Sequence, residues 1–159
     1  MRVYTPIMNS EGKGAMTKCQ QVARQCACFN LRKATRAVTQ LYDEVLRETG
    51  IRVTQLTLLV AAYLSGEMPI SQMAEALVMD RTTLTRNLKP LEVQGLIAIR
   101  SGADRREKLV TLTTRGRAMV SKALPLWEQA QRRIIEGLGQ GRFDSMLKDL
   151  SKAVSLAHA

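Results

Sequence analysis

Pro69–Leu112 reads PISQMAEALVMDRTTLTRNLKPLEVQGLIAIRSGADRREKLVTL, and this stretch decides the fold. Ile70, Met73, Ala74 and Leu77 recur at helical spacing and predict a short first helix. Val78-Met79-Asp80 is short enough to be a turn. The Asp80 carboxylate is placed to cap the orphan amides of a second helix. In that helix Leu84, Leu88 and Leu91 fall at i, i+4 and i+7 and predict an inward face. Arg81, Thr82, Thr83, Thr85, Arg86, Asn87 and Lys89 are left outward. Leu96–Ile99 and Leu109–Leu112 then read as strands around a turn at Ser101-Gly102-Ala103-Asp104, with Arg100, Arg105, Arg106 and Lys108 at the tip.

Helix, turn, helix and basic hairpin in this order describe a winged helix-turn-helix. Solvated helix faces usually mix charges of both signs, yet no Asp or Glu occurs from 81 to 91. Short hydroxyl, amide and cationic side chains match the donors, acceptors and thymine methyls of the major groove. A wing arginine suits a narrow minor groove, where negative potential is enhanced. Asp104 has two readings. It either orients an arginine of the wing or second helix by a charge-assisted bond, or simply starts the turn. The formal net charge is +10, and residues 81–117 hold nine Lys and Arg against three Asp and Glu. Charge concentrated in this way predicts a polyanionic partner.

Asp104-Arg105-Arg106-Glu107-Lys108-Leu109-Val110-Thr111-Leu112-Thr113-Thr114-Arg115-Gly116 resembles the D-x-R…V-x-L-T-x-x-G wing signature of MarR-family transcriptional regulators. Arg81–Leu88 is similar to their recognition helix, and the likeness extends from about residue 20 to the end. The resemblance implies an obligate homodimer that binds a palindromic double-stranded DNA operator. It also implies a repressor released by a small aromatic ligand or an oxidant, with no cofactor. Val78 departs from the pattern, since many helix-turn-helices have Gly there and a β-branched residue dislikes positive φ.

The flanks predict the remaining organisation. Residues 1–17 contain Pro6, Gly12 and Gly14 without a sustained period and are expected to be a flexible arm. From Lys18 to Glu48 an apolar stripe, including Val22, Cys26, Phe29, Leu41 and Val45, predicts one helix stopped by Gly50. It would be about 45 Å long if continuous, too long for one small winged domain to bury. Thr113 or Thr114 starts a further long helix, and Leu147, Leu150 and Val154 form the stripe of a last one. The expected architecture is mostly α with a small β-hairpin wing (α+β). It has dimerisation helices at 18–50 and 118–159 and a DNA-binding domain at 51–117.

Catalysis is not expected. His158, the one histidine, stands beside the C-terminus, and no phosphate loop, HExxH or CxxC occurs. Cys19, Cys26 and Cys28 lack the spacing of a metal set, so no metal site is expected. Cys28-Phe29-Asn30-Leu31 resembles the segment around the sensing cysteine of the organic-hydroperoxide branch of the family. Tyr42 falls where one of that branch's tyrosines would come, while Arg32 and Val53 occupy two other such places. Cys28 with Tyr42 is therefore a candidate sensor. Alternatively Cys26 and Cys28 are small core residues. Tyr42, Tyr63 and Trp127 are candidates to line an effector pocket, or plain core residues. No apolar run approaches the roughly 18 residues that span a bilayer, and no signal-peptide core opens the chain. A cytoplasmic location without membrane contact is expected. Two rival functions use the same charge: a sequence-blind architectural DNA-binding protein, and a winged-helix protein-interaction module.

Overall fold

A computed structural model describes residues 10–104 and 106–157. Its elements are α1 (Ser10–Gln25), α2 (Ala27–Leu46), α3 (Val53–Ser65), β1 (Met68–Pro69), α4 (Ile70–Ala76), α5 (Arg81–Val93), β2 (Ile97–Ser101), β3 (Lys108–Leu112), α6 (Thr114–Leu138) and α7 (Gln140–Ala157). Two compact units meet after Gln40, within α2.

In the first unit, residues 10–17 of the arm expected over 1–17 are helical; residues 1–9 lie outside the described residues. Helical spacing continues through Gly12 and Gly14, which lower propensity without breaking the backbone ladder. The stretch expected as one helix is divided into α1 and α2 by a single residue, Cys26, yet the backbone ladder runs through it: the Cys26 amide donates to the Val22 carbonyl at 3.0 Å and the Asn30 amide to the Cys26 carbonyl at 3.1 Å. Asn30 adds side-chain bonds at this junction. Its side-chain amide donates to the Cys26 carbonyl at 2.9 Å and lies 3.4 Å from the Arg24 carbonyl. Val22, Phe29, Leu31 and Val38 all remain exposed.

The second unit holds the core. Leu46, Leu59, Met73, Leu84, Leu88, Leu91 and Val110 are fully buried and form one cluster with Leu56, Leu96, Val120 and Ala123. The inward leucines of α5 thus fall where their spacing puts them. Asp43 accepts from the Val53 amide at 2.7 Å and ties the end of α2 to the start of α3. The 3₁₀ turn Arg47–Thr49 ends at Gly50, whose φ is 77°.

A three-stranded antiparallel sheet in the order β1-β3-β2 replaces the two-stranded hairpin. Met68 pairs with Val110, and Ile99 pairs with the same residue from the other side. A two-residue strand carries no alternation, so β1 has no signature of its own. The first residues of α6 pack tightly on this sheet. Thr113 is the N-cap; its hydroxyl accepts from the Gly116 amide at 3.0 Å and donates to the Gly95 carbonyl at 2.7 Å. A Cβ on Gly116 would lie 2.0 Å from the Leu96 carbonyl oxygen and 2.8 Å from Leu112 Cδ1. Only glycine lets the helix start this close to the root of the wing. Among the described residues no helix is long and apolar enough to cross a membrane.

Candidate nucleic-acid interface

The α4 end is a six-to-one turn. Met79 N–H donates to the Ala74 carbonyl at 2.8 Å, and Val78 N–H donates to that of Glu75 at 3.0 Å. This pattern needs a left-handed residue at its penultimate position, and Val78 takes it with φ 54°. The chain therefore adopts the glycine-type turn with a β-branched residue, which stores local strain. Asp80 then caps α5 by accepting from the Thr83 amide at 2.8 Å. Hydrogen bonds from the Thr83 hydroxyl and then the Thr83 amide hold the Asp80 carboxyl below its ordinary value.

Capping and core together aim the outer face of α5 at solvent. Arg81, Thr82, Thr85, Arg86, Asn87 and Lys89 are exposed, and Thr83 is half-buried. Two of these groups are partly committed already. Thr85 donates its hydroxyl to the Arg81 carbonyl at 2.7 Å, and Lys89 pairs with Glu92 at 2.9 Å. That is the only ion pair among the described residues. Arg81, Arg86, Arg100 and Arg106 form none there, so their guanidinium groups face water.

On the wing, Asp104 accepts from the Arg106 amide at 2.8 Å, and its carbonyl accepts from the Glu107 amide. This geometry favours the turn-starting reading of Asp104. Lys108 donates to the Ser101 hydroxyl at 2.9 Å across the strands. Arg100 and Arg106 are exposed on either side of the tip, and Arg105 lies outside the described residues.

A second cationic feature escapes sequence reasoning. A cleft of about 670 Å³ lies between the first turn of α3 and the second half of α5, lined by Arg52, Thr54, Gln55, Arg86, Asn87 and Pro90 over the buried Leu58. Arg52 and Arg86 stand far apart in the chain, and no local pattern joins them.

The sensor candidates Cys28 and Tyr42 belong to different units, and the effector candidates of the second unit have different surroundings. Cys28 is exposed and Cys26 half-buried, so neither serves the core of this chain, and that reading is corrected. Tyr42 is buried in the second unit and donates to the Gln131 side-chain oxygen. Burial pushes the Tyr42 phenol up from its ordinary value. Tyr63 is 48% exposed with the Arg117 guanidinium 5.5 Å above its ring, a cation–π contact at the surface rather than a core contact. Trp127 alone of the three borders an apolar groove, of about 280 Å³, with Val53, Leu56, Thr57, Val60 and Leu124. His158 lies outside the described residues.

Comparison with known proteins matches this arrangement. A model of the MarR family covers residues 51–108, the segment from the start of α3 to the first residue of β3. The organic hydroperoxide resistance transcriptional regulator of Bacillus subtilis is 34% identical over 100 residues, spanning 62% of this chain and 68% of that protein. The chain belongs to the MarR family. A crystal structure of the M. tuberculosis transcriptional regulator MosR in complex with DNA shares 35% identity with this MarR-family chain. That match covers 85% of this chain and all of the other, with a TM-score of 0.75. A mutant MarR from E. coli complexed with operator DNA is 20% identical, covers 84% and 96% of the two chains, and has a TM-score of 0.75; it shows the common fold.

Proposed function

We propose that this MarR-family protein is a cytoplasmic, homodimeric transcriptional repressor that reads a palindromic site in double-stranded DNA. The observation that carries the proposal is the outer face of α5: capped, free of acidic side chains from Arg81 to Leu91, and anchored by three fully buried leucines. The DNA-bound state of the 35%-identical MosR supports it. Arg81, Thr82, Thr83, Thr85, Arg86 and Asn87 read bases or anchor phosphates in the major groove. Arg105 and Arg106 work the minor groove and backbone. Lys89, Arg100 and Lys108 supply phosphate contacts, and Asp104 shapes the wing turn. Residues 51–117 form the DNA-binding domain.

Dimerisation is assigned to the helices of 18–50 and 118–159. Leu147, Leu150 and Val154 on α7 are 46%, 37% and 47% exposed, an apolar stripe that a sister subunit would cover. Release from DNA is assigned to a small molecule or an oxidant. The groove beside Trp127 supports an apolar effector, and the exposure of Cys28 supports oxidation.

Footprinting on DNA upstream of the protein's own coding region tests the proposal. Wild type is expected to protect a two-fold symmetric site. Arg86→Ala or Arg106→Ala is expected to weaken binding there by about 1–3 kcal/mol. Uniform protection without a preferred site would refute sequence-specific reading. Release of Cys28→Ser by peroxide as readily as wild type would remove the cysteine from the signal.

A further inference from the structure

The cleft between α3 and α5 lies outside the wing and the first turn of the recognition helix. It is lined by two guanidinium groups, a hydroxyl and two carboxamides, and no carboxylate lines it. Neither Arg52 nor Arg86 forms an ion pair among the described residues. The start of α3 is otherwise satisfied: Asp43 takes the Val53 amide, and the Gln55 side-chain oxygen takes the Arg52 amide at 2.9 Å. That second bond commits the oxygen of Gln55 and leaves its NH₂ as a donor. The helix terminus therefore does not make the site; the side chains do. The buried Leu58 and the exposed Pro90 add apolar surface to the lining.

We propose that this cleft seats a backbone phosphate of bound duplex DNA, held between Arg52 and Arg86 with Thr54 and Gln55 as further donors. The inference rests on the DNA-binding reading above and deepens it. It adds an anchor from a helix that precedes the helix-turn-helix and assigns Arg86 to the backbone rather than to a base. Two guanidinium groups lining one cleft, Arg52 at the N-cap of α3 and Arg86 within α5, fix both the position and the direction of a phosphate held between them. Such an anchor sets how deeply α5 sits in the groove and carries no sequence information of its own.

A phosphate contact is blind to base sequence, so the test needs no operator. Fluorescence anisotropy with a labelled mixed-sequence duplex of about 30 base pairs is read across a potassium chloride series. Each phosphate neutralised contributes about 0.9 to the slope of log K against log salt. Arg52→Ala is expected to lower the slope by about that amount per bound subunit, and Arg52→Lys to retain most of it. Arg142→Ala, which removes an exposed charge on α7, is expected to leave it unchanged. An Arg52→Ala slope equal to wild type overturns the assignment. If Arg106→Ala flattens the slope while Arg52→Ala does not, the cleft assignment alone fails. A flat slope for wild type sinks the DNA-binding reading itself. Inorganic phosphate at constant ionic strength gives the last arm. It is expected to weaken wild type more than Arg52→Ala, because it competes for the same seat, and an equal effect on both would overturn the assignment.

Discussion

Gly116→Ala is the sharpest test of how the wing is joined to α6. Helix propensity alone favours alanine over glycine by about 1 kcal/mol. The structure reverses the sign. A methyl carbon at residue 116 would lie 2.0 Å from the Leu96 carbonyl oxygen, where even a close carbon–oxygen contact needs about 3.3 Å. The obstacle is a backbone oxygen, so no rotamer change relieves it. Helix α6 must retreat by about 1 Å, and that movement opens the Thr113 bonds to the Gly95 and Leu96 carbonyls. Two such bonds are worth about 1 kcal/mol each, and overpacking adds about 1–3 kcal/mol. After the propensity gain is subtracted, the net loss is about 2–4 kcal/mol. For a chain of this size that corresponds to a melting point lower by roughly 5–15 °C. The assay is thermal and urea denaturation at one fixed protein concentration. Gly137→Ala lies in the same helix with nothing within 4 Å of its added Cβ, and it should gain up to about 1 kcal/mol. If Gly116→Ala melts at or above wild type, the close approach of α6 to Leu96 is wrong.

Val78 gives a second stability test. Val78→Gly should be more stable than Val78→Ala by about 1 kcal/mol, because both lose the same packing and only glycine accepts the left-handed φ of 54° freely; equal urea midpoints would show that the turn is unstrained. Asp80 gives a pH test. Its folded carboxyl is held below the unfolded value, so its stabilisation is present above the unfolded carboxylate pKa and disappears as pH falls through the folded one. The difference in melting point between wild type and Asp80→Asn should therefore shrink on acidification below about pH 4, and a difference that stays constant to the acid limit would exclude the carboxylate as the cap.

The reading unit was legible because each part carries a local signal. Leu84, Leu88 and Leu91 announce a helix face, Asp80 its start, and the runs at 96–99 and 109–112 their strands. Val78 shows how a motif outlasts its preferred residue: the turn hydrogen bonds of Ala74 and Glu75 form anyway and impose the left-handed backbone. What escaped the sequence depends on contacts between distant residues or on a single side chain. The Asn30 side chain reaches back to the Cys26 carbonyl, and helical periodicity does not register such a bond. β1 is a strand only because Val110 pairs with Met68. Tyr63 and Trp127 look alike as aromatic residues on flanking helices, yet one meets Arg117 at the surface and the other borders a groove. The Arg52–Arg86 cleft needs the crossing of α3 and α5 to exist at all. Thr113 and Gly116 were recognisable as a motif, but the reason for the glycine, a backbone carbonyl against the helix, is visible only in three dimensions.

The strand order β1-β3-β2 places one edge strand before α4 and the other after α5, both hydrogen-bonded to β3. The helix pair is thus a bracket bolted at each foot to the same beam. Swinging it outward requires either unzipping a foot or carrying the beam along, and the tip between β2 and β3 travels with it. Within one subunit the spacing from helix to tip is mechanically preset, so a signal that disengages the protein has to move the whole bracket rather than bend it.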